Sequence, residues 1–145
     1  MKIVYGDIWE YPADVVICIT TNGTITKAGN GVMGRGVAAQ AKSRFRGIEH
    51  HLGMSLKKYG NHCVGWTGPW RPFCYFPVKH RWREKADLEL IKRSSEELAA
   101  IVRRWPGATF VLPRPGCGNG GLTWEEVRPV IEGILPDSVH VIERE

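Results

Sequence analysis

Two glycine-rich loops, one towards each end of the chain, each lie between a predicted strand and a predicted helix. Both have the spacing G-x-G-x-x-G, at residues 29–34 and 116–121. Glycine has no Cβ, so the backbone N–H groups of such a loop can approach phosphate oxygens, and the following helix N-terminus adds partial positive charge. One loop of this kind marks many ordinary turns. Two in one domain indicate a single ligand whose diphosphate is held from both sides.

The order of the predicted elements favours an α/β sandwich. Short runs of β-branched and other apolar residues, typical of strands buried on both faces, occur at 3–5, 15–19, 108–112 and 139–142. A further pair of strands is predicted at 62–66 and 73–76, joined by a turn-rich segment. Helices are predicted from residue 37, over 48–59, from 88 to 105 and after 123. In such a sheet ligands bind at the carboxyl ends of the strands, where both glycine loops fall.

Two of these helices begin with capping residues. Asp87 can cap a helix whose apolar residues recur at spacings close to multiples of 3.6. Thr123 and Glu126 form a capping box before an apolar face that extends to Leu135. Because Pro129 lies inside this last helix, we expect a lost hydrogen bond or a kink unless the helix begins late.

The composition is that of an ordinary globular protein with a small excess of positive charge. The length of 145 residues, with 43% hydrophobic and 24% charged residues, fits one domain over 1–145. A formal net charge of +5 favours anionic partners such as nucleotides or nucleic acid, although solubility alone also explains a charge of this size. No apolar run approaches membrane-spanning length, so no membrane partner is expected. No apolar stripe demands a partner subunit, and we expect a monomer.

The four cysteines indicate free thiols. Cys18, Cys63, Cys74 and Cys117 contain no C-x-x-C pair and no tight disulfide spacing. The first residues are interrupted by polar side chains too early for a signal peptide, so the prediction is a cytoplasmic protein. A zinc site around Cys63, Cys74 and the neighbouring histidines would fit no standard spacing, and no metal is predicted.

Two common phosphate-binding motifs fit the first loop poorly. The Rossmann fingerprint turns directly out of its strand, whereas about nine residues separate Ile19 from the loop. Glu49 lies twenty positions after Gly29, but on a predicted helix rather than at a strand end. For a P-loop, Arg35-Gly36 stands where Lys-Ser/Thr is required. A dinucleotide-dependent oxidoreductase and a P-loop hydrolase therefore rank below other interpretations.

Several short motifs follow one another in a particular order. They are Gly6-Asp7-Ile8 and Thr20-Thr21-Asn22-Gly23 after the first two strands, Val32-Met33-Gly34-Arg35-Gly36 at a helix entry, Phe76-Pro77-Val78-Lys79, and the loop Pro115-Gly116-Cys117-Gly118-Asn119-Gly120-Gly121-Leu122-Thr123-Trp124. In this order and spacing the whole chain resembles the macro domain family. It is most similar to the branch of terminal ADP-ribose glycohydrolases and DarG-like antitoxins. The resemblance implies a three-layer α/β/α sandwich with a central mixed β-sheet.

The resemblance also implies an ADP-ribose site. Asp7 would accept a hydrogen bond from the adenine amino group, with the backbone of Ile8 alongside. The other implied contacts are Thr20, Asn22, Gly31, Val32, Met33, Gly34, Arg35, Gly36, Pro115, Gly116, Cys117, Gly118, Asn119, Gly120 and Gly121. Two loops of backbone donors can hold a diphosphate without a metal ion, and no cofactor is implied. Judged from the residues alone, Asp7 is better explained as a turn or cap residue after a strand.

Lys79 is the candidate catalytic residue, because the lysine at this F-P-x-K position is essential in the hydrolases that the chain resembles. Its deprotonated amine could attack the anomeric carbon of the distal ribose and form a Schiff-base-type intermediate. Without the resemblance, Lys79 would be interpreted as a solvated lysine in the basic run 79–83. One departure concerns Gly120, because the terminal ADP-ribose glycohydrolases carry an aspartate there. The DNA-directed members have the G-N-G-G-L pattern of this sequence.

The predicted function is hydrolytic removal of mono-ADP-ribose from a modified target, with DNA-linked ADP-ribose among the candidates. Two alternatives stay open: a domain that only reads ADP-ribose, and one that cleaves phosphate from ADP-ribose 1″-phosphate. The partner is ADP-ribose or an ADP-ribosylated macromolecule. DNA contact is a candidate because aromatic and arginine side chains alternate in one segment, and these can stack bases or simply pack. They are Trp66, Trp70, Arg71, Trp82 and Arg83.

Overall fold

A six-stranded mixed sheet forms the centre of the molecule, in the order β1-β6-β5-β2-β4-β3. The computed structural model describes residues 1–144. The strands are β1 (Lys2–Tyr5), β2 (Val16–Asn22), β3 (Val64–Trp66), β4 (Phe73–Lys79), β5 (Phe110–Pro113) and β6 (Val139–Glu143). Every neighbouring pair is parallel except β3 with β4, which is antiparallel. The predicted mixed sheet is confirmed.

Helices cover both faces of this sheet. They are α1 (Gly36–Arg44), α2 (Ile48–Tyr59), α3 (Leu88–Arg104) and α4 (Trp124–Ile131), with short 3-10 helices at Ile8–Glu10 and Gly118–Gly120. Successive residues of β2 point to opposite faces, so Ile17 packs in the cluster of α1 and α2, whereas Cys18 packs in that of α3 and α4. One hydrophobic core lies between the sheet and each pair of helices, so the molecule has the three layers of the predicted α/β/α sandwich.

Strand β4 is longer than its sequence pattern predicts. The expected strand stops before Pro77, because proline cannot donate to a sheet ladder. In the structure Thr21 pairs with Pro77 and Asn22 pairs with Lys79, so the register shifts by one residue beside the proline. This irregularity accommodates Pro77 inside the sheet. Lys79 is therefore the last residue of β4 rather than a loop residue after it.

The last helix, α4, is shorter than its apolar face suggests. The capping box is present, because the Glu126 N–H donates to Thr123 Oγ1 at 3.2 Å and the Thr123 N–H donates to Glu126 Oε1 at 3.1 Å. The helix does not begin late, and Pro129 lies within it. Since Pro129 cannot donate to the carbonyl of Glu125, the helix loses one bond and ends at Ile131. Leu135 is buried beyond its end.

The first glycine loop packs against α2 through a close backbone approach. A Cβ on Gly53, in the middle of α2, would lie 1.8 Å from the carbonyl oxygen of Gly29. The N–H of Gly31 also donates to the carbonyl of Glu49 at 2.7 Å. A glycine inside a helix is therefore needed here, because the loop crosses the helix at contact distance.

None of the helices within residues 1–144 has both the length and the hydrophobicity that crossing a bilayer requires.

The first prediction concerns Gly53→Ala. The added methyl group must displace the loop backbone at Gly29, and overpacking of this kind costs about 1–3 kcal/mol. Urea unfolding should show this loss in the free energy of unfolding. Gly133→Ala is the matched control, because a Cβ there meets no atom within 4 Å. Equal stability of the two variants would contradict the close approach.

Candidate functional site

A cleft of about 650 Å³ lies at the carboxyl ends of β2, β4 and β5. Parallel strands place their carboxyl ends at one edge of a sheet, so loops that are distant in sequence converge there. Both glycine loops and the end of β4 open into this cleft. The residues that line it are Thr20, Thr21, Asn22, Val32, Gly34, Arg35, Gly36, Val37, Ala38, Val78, Lys79, Trp82, Arg83, Pro113, Arg114, Gly116, Cys117, Gly118, Asn119 and Gly120.

Most of the site residues predicted from the sequence are brought together here. They are Lys79 and Thr20, Asn22, Val32, Gly34, Arg35, Gly36, Gly116, Cys117, Gly118, Asn119 and Gly120. The two glycine loops, about eighty residues apart in the chain, therefore face one common space.

Six predicted residues do not line the cleft: Asp7, Ile8, Gly31, Met33, Pro115 and Gly121. Ile8 and Met33 are core residues, only 5% and 3% exposed. Gly31 packs against Leu52, Pro115 is buried, and Gly121 lies beside Lys85.

Asp7 caps the first 3-10 helix. Its Oδ1 accepts a hydrogen bond from the N–H of Trp9 at 2.9 Å. This is the cap role that the residue type by itself favours. Asp7 nevertheless stands at the carboxyl end of β1, at the same edge of the sheet as the cleft.

The N-terminus of α1 forms one wall of the cleft. Four consecutive residues, from Arg35 to Ala38, line the cavity. The N-cap residue Arg35 makes no side-chain cap hydrogen bond, so no side chain of the cap satisfies the first N–H groups of the helix. Unsatisfied N–H groups and the helix dipole together favour an anion at this position.

Asn22 holds the first glycine loop in place. Its Nδ2 donates to the carbonyl of Val32 at 3.0 Å, and its Oδ1 accepts from the N–H of Thr24 at 3.0 Å. Since both polar atoms of the amide are used, we interpret Asn22 as a residue that positions the loop.

The second glycine loop forms the opposite wall. Gly116, Gly118 and Gly121 have φ of +77°, +73° and +78°, which side chains with a Cβ rarely adopt. The N–H of Leu122 donates to the carbonyl of Gly116 at 3.0 Å and closes the loop. The glycines at these three positions are thus required by backbone conformation, independently of any ligand.

Positive charge dominates the cleft. Lys79, Arg35, Arg83 and Arg114 line it, and no aspartate, glutamate or histidine is among the lining residues that the structure describes. A cluster of cations beside a free helix N-terminus matches a phosphorylated ligand.

Arg114 is a cleft residue that the sequence analysis missed. Its guanidinium lies 4.5 Å from the ring centroid of Trp124 and 5.8 Å from that of Tyr5, and Nη1 pairs with Glu143 at 2.9 Å. The sequence feature that could have identified Arg114 as a cleft residue is its position at the end of a buried strand, just before the second glycine loop. The pattern did not show that Trp124 and Tyr5 would enclose the side chain, because Tyr5 is distant in sequence and the fold of the second glycine loop sets where Trp124 lies relative to Arg114.

Two polar atoms of cleft residues are buried without a partner in the described structure, namely Thr21 Oγ1 and Arg114 Nε. Buried polar groups are usually hydrogen-bonded, and these two exceptions lie beneath the surface of the cleft.

Burial raises the pKa of the Cys117 thiol, and the nearby Arg114 opposes this effect only in part. The thiol donates to the carbonyl of Pro115 at 3.8 Å. Because a protonated thiol is a poor nucleophile, Cys117 is badly suited to covalent catalysis near neutral pH.

Only part of the aromatic and arginine segment reaches the cleft. Trp66 and Trp70 pack around the half-buried His51, with ring centroids 4.4 and 5.6 Å from it. Arg71 donates to the carbonyls of Pro12 and Val15, which ties it to the chain before β2. Trp82 and Arg83 are the members of the set that line the cavity.

Comparison with known proteins gives relatives along almost the whole chain. No family model matches the sequence. The DNA ADP-ribosyl glycohydrolase of Thermus aquaticus is 29% identical over 142 residues, which cover 93% of this chain and 38% of that protein. The ADP-ribose glycohydrolase OARD1 of Bos taurus is 30% identical over 134 residues, covering 91% of this chain and 82% of that protein.

Among solved structures, the macrodomain of Mycobacterium tuberculosis DarG has a TM-score of 0.77 at 28% identity, and covers 97% of this chain and 95% of that chain. The chain belongs to the macro domain family. Within the family it is a macro domain of the DarG-like branch. This macro domain spans little more than a third of the first curated relatives, 38% of the Thermus aquaticus protein.

The second prediction concerns the reactivity of Cys117. Since burial raises the pKa of its thiol, iodoacetamide should label the native protein slowly at pH 7, and the rate should still be rising above pH 9. Mass spectrometry of digests would measure the rate at each pH. The Cys117→Ser control should show no native-state labelling, because Cys18, Cys63 and Cys74 are buried. A rate that levels off below pH 8 would contradict the partly buried, protonated thiol.

Proposed function

We propose that residues 1–145 form one macro domain that binds ADP-ribose in this cleft and removes it by hydrolysis from a modified target. The observation that carries the proposal is the meeting of both glycine loops and Lys79 in one cationic cleft. It is supported by the relatives, which are named ADP-ribosyl glycohydrolases.

The proposed pose follows from the two walls. The diphosphate would lie between the N-terminus of α1 and the second glycine loop, where backbone N–H groups from both sides reach its oxygens. The distal ribose would then lie towards Lys79. The adenine would lie towards Asp7 and Ile8, with one carboxylate oxygen of Asp7 capping the 3-10 helix and the other accepting from the adenine amino group. The remaining predicted contacts act through the backbone of the loops or support it.

Lys79 would act as the nucleophile in two stages. The lone pair of its free amine forms a bond to C1″ of the distal ribose, the bond from C1″ to the target breaks, and the amine proton passes to the leaving atom. Opening of the ribose ring then gives a Schiff base and a free hydroxyl. Water adds to C1″, the C–N bond breaks, and ADP-ribose and the free amine are released. One water is consumed for each ADP-ribose removed.

Lys79 is favoured over the other nucleophilic side chains of the cleft. Burial keeps the Cys117 thiol protonated. The hydroxyls of Thr20 and Thr21 have no carboxylate or histidine among the lining residues to remove their protons. A primary amine needs no such activating base once it is deprotonated.

An ADP-ribose reader is the second candidate. It is favoured by the lack of a carboxylic acid or histidine among the described lining residues, because such a group would protonate the leaving atom. A reader would use the same two walls and would leave Lys79 as one more cation beside the ligand.

We also propose a cytoplasmic, monomeric protein. The four cysteines are unpaired, which suits a reducing compartment. DNA contact forms part of the proposal, because Trp82 and Arg83 reach the mouth of the cleft.

The third prediction uses Lys79 to distinguish a domain that hydrolyses the ADP-ribose linkage from one that only binds ADP-ribose. Lys79→Ala and Lys79→Arg should each lower hydrolysis by on the order of 10³-fold or more, because guanidinium stays protonated and cannot attack. Calorimetry should still show one ADP-ribose bound per chain for both variants. Borohydride added during turnover should attach the ribose to Lys79 of the wild type, as detected by mass spectrometry. Lys58→Ala on α2 is the control and should keep full activity.

The outcomes of this test are distinct. Unchanged hydrolysis by Lys79→Arg would exclude the lysine nucleophile. A wild type that binds ADP-ribose but cleaves no modified substrate would establish the reader. If free ADP-ribose does not bind to the protein, the whole proposal is wrong.

The fourth prediction concerns the substrate. Gly120 stands where the terminal glycohydrolases carry an aspartate, so we expect faster hydrolysis of ADP-ribose linked to thymidine in an oligonucleotide than of ADP-ribose esterified to a glutamate peptide. The measurement is kcat/KM on the two substrates under the same conditions. Preference for the peptide ester would contradict a DNA-directed activity.

A further inference from the structure

Trp82 is an exposed aromatic side chain at the mouth of the cleft, three residues after Lys79. It lies in the loop 80–87, which joins β4 to α3. Its exposed fraction is 48%, and it is the only one of the large exposed hydrophobic residues of the described chain that lines the cleft. The others are Tyr5, Ile25, Met54 and Tyr59. Single exposed apolar side chains are common on protein surfaces, so it is the position of Trp82 beside the site, rather than its exposure, that makes it a candidate for ligand contact.

The loop that carries Trp82 is fixed at several points. The Trp82 N–H donates to Thr24 Oγ1 at 3.0 Å, beside the end of β2. The N–H of Ala86 donates to the carbonyl of Gly120 at 2.9 Å, in the second glycine loop. His80 Nε2 and Asp87 Oδ2 are 2.7 Å apart and close the loop upon itself. The backbone of the loop that carries Trp82 is thus held to the segment after β2 and to the second glycine loop before any ligand arrives, which lowers the entropy cost of using Trp82 for binding.

The same loop is positively charged. Arg81, Arg83 and Lys85 accompany Trp82, with Glu84 as the one acidic residue between them. The guanidinium of Arg83 lies 5.1 Å from the centroid of the Trp82 ring. An aromatic face flanked by cations is the combination that binds single-stranded nucleic acid, because bases stack on the ring and phosphates pair with the charges.

We propose that Trp82 is the stacking surface for the nucleobase that carries ADP-ribose, and that it makes this macro domain selective for nucleic acid over protein targets. The proposal rests on the function proposed above, in which the distal ribose lies at Lys79. The group attached to C1″ then points out of the cleft past the loop 80–87. A planar base meets the indole face there, whereas the side chain of an esterified glutamate has no ring to stack.

The fifth prediction tests this role by binding and by turnover. Binding is measured in the Lys79→Ala background, with free ADP-ribose and with ADP-ribosylated thymidine in a short single-stranded oligonucleotide. Trp82→Ala should weaken oligonucleotide binding by about 5- to 150-fold, the range expected for loss of one stacked base, and change free ADP-ribose binding by less than about twofold. Trp82→Phe should restore most of the loss, because a smaller ring still stacks.

In the otherwise wild-type protein, Trp82→Ala should lower kcat/KM on the oligonucleotide by a similar factor and leave the glutamate ester unchanged. Tyr59→Ala is the matched control, an exposed aromatic residue on α2 that does not line the cleft. It should alter neither affinity nor turnover.

Equal weakening of both ligands by Trp82→Ala, or of neither, would overturn the stacking role even if hydrolysis is intact. If Trp82→Ala weakens only oligonucleotide binding and the wild type cleaves neither substrate, the stacking role stands and the proposed hydrolase activity is wrong. If the wild type does not bind ADP-ribose at all, both the proposed function and the stacking role are wrong.

Discussion

The pairing of β2 with β4 on one side and β5 on the other is the constraint on which the site depends. It places the ends of three strands at one edge, so Asn22 and Lys79 are neighbours in register although they are distant in sequence. The register shift that admits Pro77 also sets which residues end the two strands. From its position Asn22 holds the carbonyl of Val32, and through it the first glycine loop.

Backbone groups and side chains contribute differently to the cleft. The start of α1 and the second glycine loop both line the cleft, where we propose that backbone N–H groups bind a diphosphate, and their conformation needs glycines with positive φ rather than charged residues. Side chains add cations, and one of these, Lys79, is also a potential nucleophile. Because no carboxylate or histidine is among the described lining residues, the chemistry proposed for this domain depends on that single amine.

The loop 80–87 connects the part of the cleft that would hold ADP-ribose with the part that faces the target. It bonds to the segment after β2 and to the second glycine loop, so its conformation depends on both of these segments. Variation within this loop could change the target while the clamp for the diphosphate stays the same. Function in such folds is commonly altered by loops at the carboxyl edge of a rigid sheet.

The sequence by itself determined the elements and their chemistry. Local periodicity and caps predicted all six strands and the four α-helices to within a few residues, including the capping box at Thr123, because those signals depend on near neighbours. The two glycine loops were identifiable from the sequence itself, whereas Lys79 and most other candidate cleft residues followed from the resemblance to the macro domain family. Tertiary structure alone decided that β4 continues to Lys79, that Trp66 and Trp70 pack around His51, and that Arg114 and Trp82 reach the cleft. These outcomes depend on contacts between residues distant along the chain, and no local pattern specifies such contacts.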